Sequence, residues 1–137
     1  MLRAWGYEVV SLDIDPRRGA DICKDILKWD YRAAYPSGYF DLVAASPPCT
    51  EYSAVKHKGP RDLKGADKIV RRTLRVIHYF NPRIWWVETP RYGLLARRPF
   101  MMGYPRVDVD YCKFENVGVQ KPTRFFGSPH LRNLESV

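Results

Sequence analysis

The chain has 137 residues, of which 45% are hydrophobic, the size of one ordinary domain with a single core. No run approaches the roughly 18 apolar residues that span a bilayer, and the N-terminus lacks the build of a signal peptide. Three cysteines without a C-x-x-C pair and three scattered histidines fit neither a disulfide framework nor a metal site. We therefore predict one domain over residues 1–137, a cytoplasmic location and no metal.

The charge of the chain favours a polyanionic partner. Lys and Arg number 23 against 15 Asp and Glu, which gives a net charge of +8 and an attractive field for nucleic acid. A basic stripe at Lys64, Lys68, Arg71 and Arg75 follows helical spacing. Such a stripe can follow a phosphate backbone, but a solvated helix face is more common and is the interpretation we favour.

The predicted elements alternate between strands and one long helix. In chain order they are a strand at 8–12, a short unit at 21–30, a loop at 31–39, a strand within 40–48, a helix at 62–80, and strands within 84–90, 106–114 and 123–129. Strand–helix–strand order predicts a mostly parallel sheet with helices on its faces. Ligands bind at the carboxyl ends of such strands, so we expect Asp13, Cys49 and Glu88 to converge on one edge.

Cys49 follows two prolines at the end of a predicted buried strand. Pro47 and Pro48 fix two φ angles and remove two N–H donors, so they aim the next residue rigidly. A buried cysteine that packs as a small hydrophobe is the common alternative. A cysteine that only packs in the core would not need the polar residues that follow Cys49, at positions 50–53. We therefore interpret Cys49 as a candidate nucleophile.

Acids and bases at other strand ends are further candidates. Asp13 and Asp15 are placed to accept hydrogen bonds from ribose hydroxyls, or else they are turn residues or helix caps. Glu88 ends an apolar strand, where a carboxyl can bond to a heterocycle or pair with a nearby arginine. Arg124 and Lys121 come at the last strand and can equally be surface charges.

Taken in this order, the segments resemble the cytosine carbon-5 methyltransferases, which use S-adenosylmethionine to methylate cytosine in DNA and, in one branch, in tRNA. The segment SPPCTEYS is similar to the Pro-Cys nucleophile loop of that family, and WWVETP is similar to its Glu-Asn-Val segment. GVQKPTR resembles its Gln-x-Arg-x-Arg segment. VVSLDID and KDILKWD resemble the two segments that bind adenosine.

The resemblance implies a Rossmann-like methyltransferase sheet, S-adenosylmethionine as cofactor, and nucleic acid as substrate, with DNA preferred to RNA. By their positions in the matching segments it assigns catalysis to Cys49, Glu88 and Arg124. It assigns cofactor binding to Asp13, Ile14, Asp25, Ile26 and Pro47. Nucleic-acid contacts are expected at Ser53, Lys56, Lys58 and Lys121.

The sequence also departs from the family pattern. Thr50 replaces a glutamine, Thr89-Pro90 replaces Asn-Val, and Pro122 stands in place of the first arginine. The first strand, its Phe-x-Gly-x-Gly turn and a target-recognition domain have no counterpart. We therefore expect a partial catalytic core without the first strand, low activity, and an exposed sheet edge that favours a homo-oligomer.

Two other classes remain open. An amino-group methyltransferase shares the Ser-Pro-Pro pattern, although it needs no thiol. The second alternative is not an active enzyme. It is a catalytically impaired remnant that binds nucleic acid or a partner subunit.

Overall fold

The computed structural model describes residues 2–52, 60–110 and 122–128. This part of the chain is mixed α/β. Its helices and strands are β1 (Leu12–Asp13), β2 (Ile22–Cys23), α1 (Tyr31–Ala34), β3 (Leu42–Ala45), α2 (Leu63–Phe80), β4 (Ile84–Pro90), β5 (Arg106–Asp110) and β6 (Pro122–Gly127). Short 3-10 turns occur at Leu2–Trp5, Pro16–Arg18, Thr50–Tyr52, Leu94–Arg97 and Pro99–Met101. In the described ranges, no helix is long and apolar enough to cross a membrane.

The strands form two sheets. β1 pairs with β2 in parallel, and the second sheet has the order β3-β4-β6-β5. In that second sheet β3 and β4 are parallel, whereas β6 is antiparallel to both β4 and β5. The mixed α/β class is confirmed, but the predicted mostly parallel, Rossmann-like sheet is not. Alternating polar and apolar residues at Arg106–Asp110 are typical of antiparallel strands, and this strand is antiparallel to β6.

Helix α2 begins and ends where its sequence indicates. Asp62 is the N-cap, and its side chain accepts a hydrogen bond from the Gly65 N–H at 2.9 Å. At the other end Asn81 takes the left-handed conformation with φ of 47°, and its N–H donates to the carbonyl of Ile77. The predicted helix is confirmed, as is the strand at Ile84–Pro90.

Two apolar clusters share α2. The first packs Val70, Leu74 and Ile77 against the four-stranded sheet, where Val87 and Phe126 are fully buried. The second packs other α2 side chains, Val76 and Phe80, against the region of β1 and β2, together with Trp29, Tyr31, Leu12 and Ile22. A single helix therefore holds both sheets.

The N-terminal third differs from the prediction in two places. The strand expected at 8–12 is reduced to Leu12–Asp13, and residues 7–10 lie outside any strand. The loop expected at 31–39 contains α1, because the carboxylate of Asp30 caps the N–H of Ala33.

Candidate active site

The end of the parallel pairing between β3 and β4 brings Ser46 and Glu88 together. The register pairs Ala45 with Val87, so the next residues of the two strands are neighbours. The Ser46 hydroxyl donates to Oε2 of Glu88 at 3.3 Å. Val43, Ala45 and Val87 pack toward α2, and side chains alternate along a strand. Ser46 and Glu88 therefore lie on the opposite face of the sheet.

Cys49 lies three residues beyond Ser46, directly after the two prolines. Its thiol is free and half-buried. Its carbonyl accepts a hydrogen bond from the Tyr52 N–H at 3.0 Å, which closes the 3-10 turn Thr50–Tyr52. Pro47 and Pro48 before it and the closed turn after it restrict the backbone at Cys49 from both sides.

A buried side-chain cluster anchors that turn to α2. Tyr52 is 1% exposed, and its hydroxyl donates to Oδ1 of Asp67 at 2.7 Å. The Arg98 Nε lies 3.2 Å from Oδ1 and 3.1 Å from Oδ2 of the same carboxylate. Burial and the bond to Asp67 raise the pKa of Tyr52. Burial by itself would raise the pKa of Asp67, but the hydrogen bonds from Arg98 and Tyr52 lower it below its usual value.

Glu51 connects the same turn to the entrance of α2. Its Oε2 accepts from the Asp62 N–H at 2.8 Å, and its carbonyl accepts from Nη1 of Arg61 at 2.9 Å. These bonds join residue 51 to residues 61 and 62, which flank segment 53–59. The predicted nucleic-acid contacts Ser53, Lys56 and Lys58 fall in that segment and lie outside the described residues, as does Lys121.

Arg124 is not directed at Glu88. Its Nε and Nη2 donate to the two carboxylate oxygens of Asp108 at 2.6 and 3.0 Å, and this contact lowers the pKa of Asp108. The register pairs Thr89 with Arg124 and Glu88 with Phe125. Directly opposed residues share a face of the sheet, so Arg124 and Glu88 emerge on opposite faces. The structure thus brings Glu88 to Ser46, three residues before Cys49, and directs Arg124 to Asp108 on the other face.

The supporting residues Asp67, Arg98 and Asp108 were missed from the sequence. Asp67 had a usable signal, because it lies four residues after Leu63 on the apolar stripe of α2. An acid on such a stripe indicates a buried partner. Arg98 and Asp108 had no comparable signal, since their contacts depend on tertiary packing.

Four of the five predicted cofactor residues lie at the carboxyl ends of β1 and β2, and the fifth, Pro47, follows β3. Oδ1 of Asp13 accepts from the Asp15 N–H at 2.9 Å, and Oδ1 of Asp25 accepts from the Leu27 N–H at 3.0 Å. Within the described ranges, Oδ2 of each carboxylate accepts no hydrogen bond. Ile14 is 65% exposed, whereas Ile26 packs against the second cluster.

This part of the chain combines carboxylate oxygens with an apolar surface. Free carboxylate oxygens can accept from ribose hydroxyls, and an exposed isoleucine can cover an adenine face. No hydrogen bond or ion pair within the described ranges joins this region to Cys49 or Glu88.

The chain is similar to a probable DNA (cytosine-5)-methyltransferase of Frog virus 3 (isolate Goorha). The two are 29% identical, and the match covers 88% of this chain. The predicted resemblance to the cytosine carbon-5 methyltransferases is confirmed. No protein-family model matches the chain. The match covers 60% of the length of the viral relative.

Proposed function

We propose that the chain forms the core of an S-adenosylmethionine-dependent cytosine carbon-5 methyltransferase that acts on DNA, with Cys49 as its nucleophile. The observation that carries this proposal is the contact at the end of the parallel pairing of β3 with β4. Cys49 follows β3 behind two prolines, and Glu88, the first residue of β4 beyond its pairing with β3, is bonded to Ser46. The similarity to the viral enzyme over 88% of the chain supports the same assignment.

The residue types suit the chemistry of the cytosine ring. Carbon 5 is too weak a nucleophile to take a methyl group unaided, so the Cys49 thiolate first forms a bond to carbon 6. Ring electrons then move toward carbon 5 and N3, and the Glu88 carboxyl stabilises that charge by sharing a proton with N3. Once carbon 5 has taken up the methyl group, loss of the carbon 5 proton and expulsion of the Cys49 thiolate restore the aromatic ring.

Ser46 supports Glu88 in this step. Its hydroxyl donates a hydrogen bond to Oε2 of Glu88. Within the described ranges, Oε1 of Glu88 accepts no hydrogen bond. Oε1 is therefore the oxygen left for the base. Arg124 is bonded to Asp108 on the opposite face of the sheet from Glu88, so we assign the first step to Cys49 and Glu88.

S-adenosylmethionine, when bound, would supply the electrophilic methyl group. We assign its ribose to Asp13 and its adenine amino group to Asp25, with Ile14 and Ile26 against the ring and Pro47 at the methyl-donor side. The exposed side chain of Ile14 and the unbonded carboxylate oxygens at the two strand ends fit these roles.

DNA would reach the site with its target base swung out of the stack, because carbon 6 is inaccessible in a duplex. We assign backbone contacts to Ser53, Lys56, Lys58 and Lys121.

Covalent trapping tests this proposal. Incubated with S-adenosylmethionine and DNA containing 5-fluorocytosine, the protein should form an adduct visible by mass spectrometry, because fluorine cannot leave as the carbon 5 proton does. Cys49→Ser should abolish the adduct. The matched control is Cys23→Ser, which removes the other free thiol among the described residues and should leave trapping intact. An adduct that persists in Cys49→Ser would overturn the assignment.

A further inference from the structure

A basic cleft of about 620 Å³ opens between α1 and the C-terminal half of α2. Its lining consists of Tyr31, Arg32, Arg72, Arg75, His78 and Tyr79. Three of these side chains are guanidinium groups, and none is acidic. The Cys49 turn packs against the first turns of α2 through Asp67, so the cleft lies farther along the helix than the candidate active site.

Two of the three guanidinium groups are held in place by their surroundings. Arg72 donates to the carbonyls of Ile26 at 3.2 Å and Trp29 at 2.9 Å, and it lies 4.7 Å from the ring centre of Tyr31. Arg32 lies 5.4 Å from the ring centre of Tyr79. An anion that binds here therefore meets groups already ordered, which lowers the entropic cost of binding.

The third guanidinium group is uncompensated. Arg75 is exposed and makes no hydrogen bond or ion pair with any residue in the described ranges. Three like charges around one cleft repel one another, and a bound anion relieves that repulsion. Guanidinium groups match the oxygens of phosphate in pairs, so phosphate is the anion that this arrangement favours.

We propose that the cleft binds backbone phosphates of a nucleic-acid strand, away from the catalytic centre. The volume is larger than one phosphate requires. Basic residues also continue from the cleft toward the start of α2, at Lys68 and Lys64, and Lys64 lies about 16 Å from Arg75 at 1.5 Å per residue. A strand can follow this row, whereas a small phosphate compound would leave it unused. The identification of the strand as DNA rests on the proposed function.

Fluorescence anisotropy with a labelled single-stranded thymidine 12-mer tests the proposal. This probe contains no cytosine, so a failed Cys49 trapping assay would not alter its result. Arg32→Gln/Arg75→Gln should raise the Kd at least tenfold. Arg97→Gln/Arg106→Gln removes two exposed arginines that do not line the cleft and should raise the Kd less than threefold.

Two results would overturn the proposal. An equal rise in Kd for the two double variants would mean that only the overall charge attracts the strand. Thymidine monophosphate or pyrophosphate that binds the unmodified protein as tightly as the 12-mer would assign the cleft to a small phosphate compound. Should the double variant unfold, Arg75→Gln alone, compared with Arg97→Gln, gives the same contrast between a residue of the cleft and one outside it.

Discussion

At the residue scale, Asp67 shows how one buried acid positions the candidate nucleophile. It joins Tyr52, which closes the turn after Cys49, to Arg98, which follows the 3-10 turn Leu94–Arg97. A buried carboxylate without these donors would be costly. The bonds therefore stabilise both the fold and the backbone at Cys49.

Arg98→Met should lower the free energy of unfolding by about 3 kcal/mol, because it leaves the Asp67 carboxylate buried with only Tyr52 as donor. The pKa of Asp67 is lowered in the folded protein, so its stabilisation is complete above the ordinary value of 3.8 and is lost as the pH falls through the folded value. The difference between the two proteins in urea unfolding should therefore shrink below pH 3.8.

The matched control is Arg97→Met, which changes the exposed neighbour and should cost less than about 0.5 kcal/mol. A similar loss in both variants, or a difference that does not change with pH, would contradict the role given to Asp67.

The sequence was sufficient to bring Glu88 to the end of β3, because the apolar runs before Ser46 and Glu88 read as parallel strands. It was insufficient for Arg124. The direction of that side chain depends on the register between β4 and β6 and on Asp108, which lies 16 residues away in the chain. Local patterns contain no information about such pairings.

At the element scale, the first turn of α2 contains a conflict between its cap and its glycine. A Cβ at Gly65 would lie 2.3 Å from Oδ2 of Asp62, the N-cap. Gly65→Ala gains about 1 kcal/mol of helix propensity, but the Asp62 side chain must rotate away and its cap bond, about 1 kcal/mol, is lost. The net change in unfolding free energy should be near zero.

In an Asp62→Ala background the cap is already absent. There Gly65→Ala should stabilise by about 1 kcal/mol, and chemical denaturation of the four proteins measures the coupling. Equal effects of Gly65→Ala in both backgrounds would show that the cap and the glycine do not interfere.

The carboxyl ends of β1 and β2 give a prediction about the cofactor. Asp13→Asn keeps an oxygen for the Asp15 N–H but loses the negative charge and an acceptor for ribose. Binding of S-adenosylhomocysteine, measured by calorimetry, should weaken about tenfold, or about 1.4 kcal/mol.

Asp15→Asn is the control for Asp13→Asn, because the Asp15 carboxylate is engaged with Arg17 and is not assigned to the cofactor. Its effect should be less than threefold. Equal weakening by the two substitutions would move the adenosine away from Asp13.

Elements whose apolar residues recur at a regular spacing were predictable from the sequence. The direction of each strand in its sheet was not. The apolar residues of α2 recur at three and four positions, and Ile84–Pro90 is an apolar run ended by proline. Both were located from the sequence. That β6 runs antiparallel to β4 is set by contacts between residues distant in the chain, such as Val87 with Phe126.

At the scale of the whole molecule, α2 makes the two sheets depend on each other. Phe80 is 2% exposed and belongs to the second cluster, whereas Ile77 on the same helix belongs to the first. Phe80→Ala should cost about 3–5 kcal/mol and still give one cooperative transition. Tryptophan fluorescence and circular dichroism should report the same unfolding midpoint, because both clusters lose their packing contacts when α2 unfolds. Separate midpoints in the unmodified protein would mean that the sheets unfold independently.

The position of β3 at one end of its sheet has a consequence for amide hydrogen exchange. The Ile84 N–H donates to the Asp41 carbonyl, and Leu42 is paired with Ile84. In a parallel ladder the N–H groups of successive residues point alternately to the two sides of the strand. The N–H groups of Val43 and Ala45 therefore point toward β4, and those of Leu42 and Ala44 point away from it. In the described ranges no strand lies on that outer side. Deuterium should therefore enter β3 at every second residue, quickly at Leu42 and Ala44 and slowly at Val43 and Ala45, so that one short strand shows both the fastest and the slowest rates of its sheet.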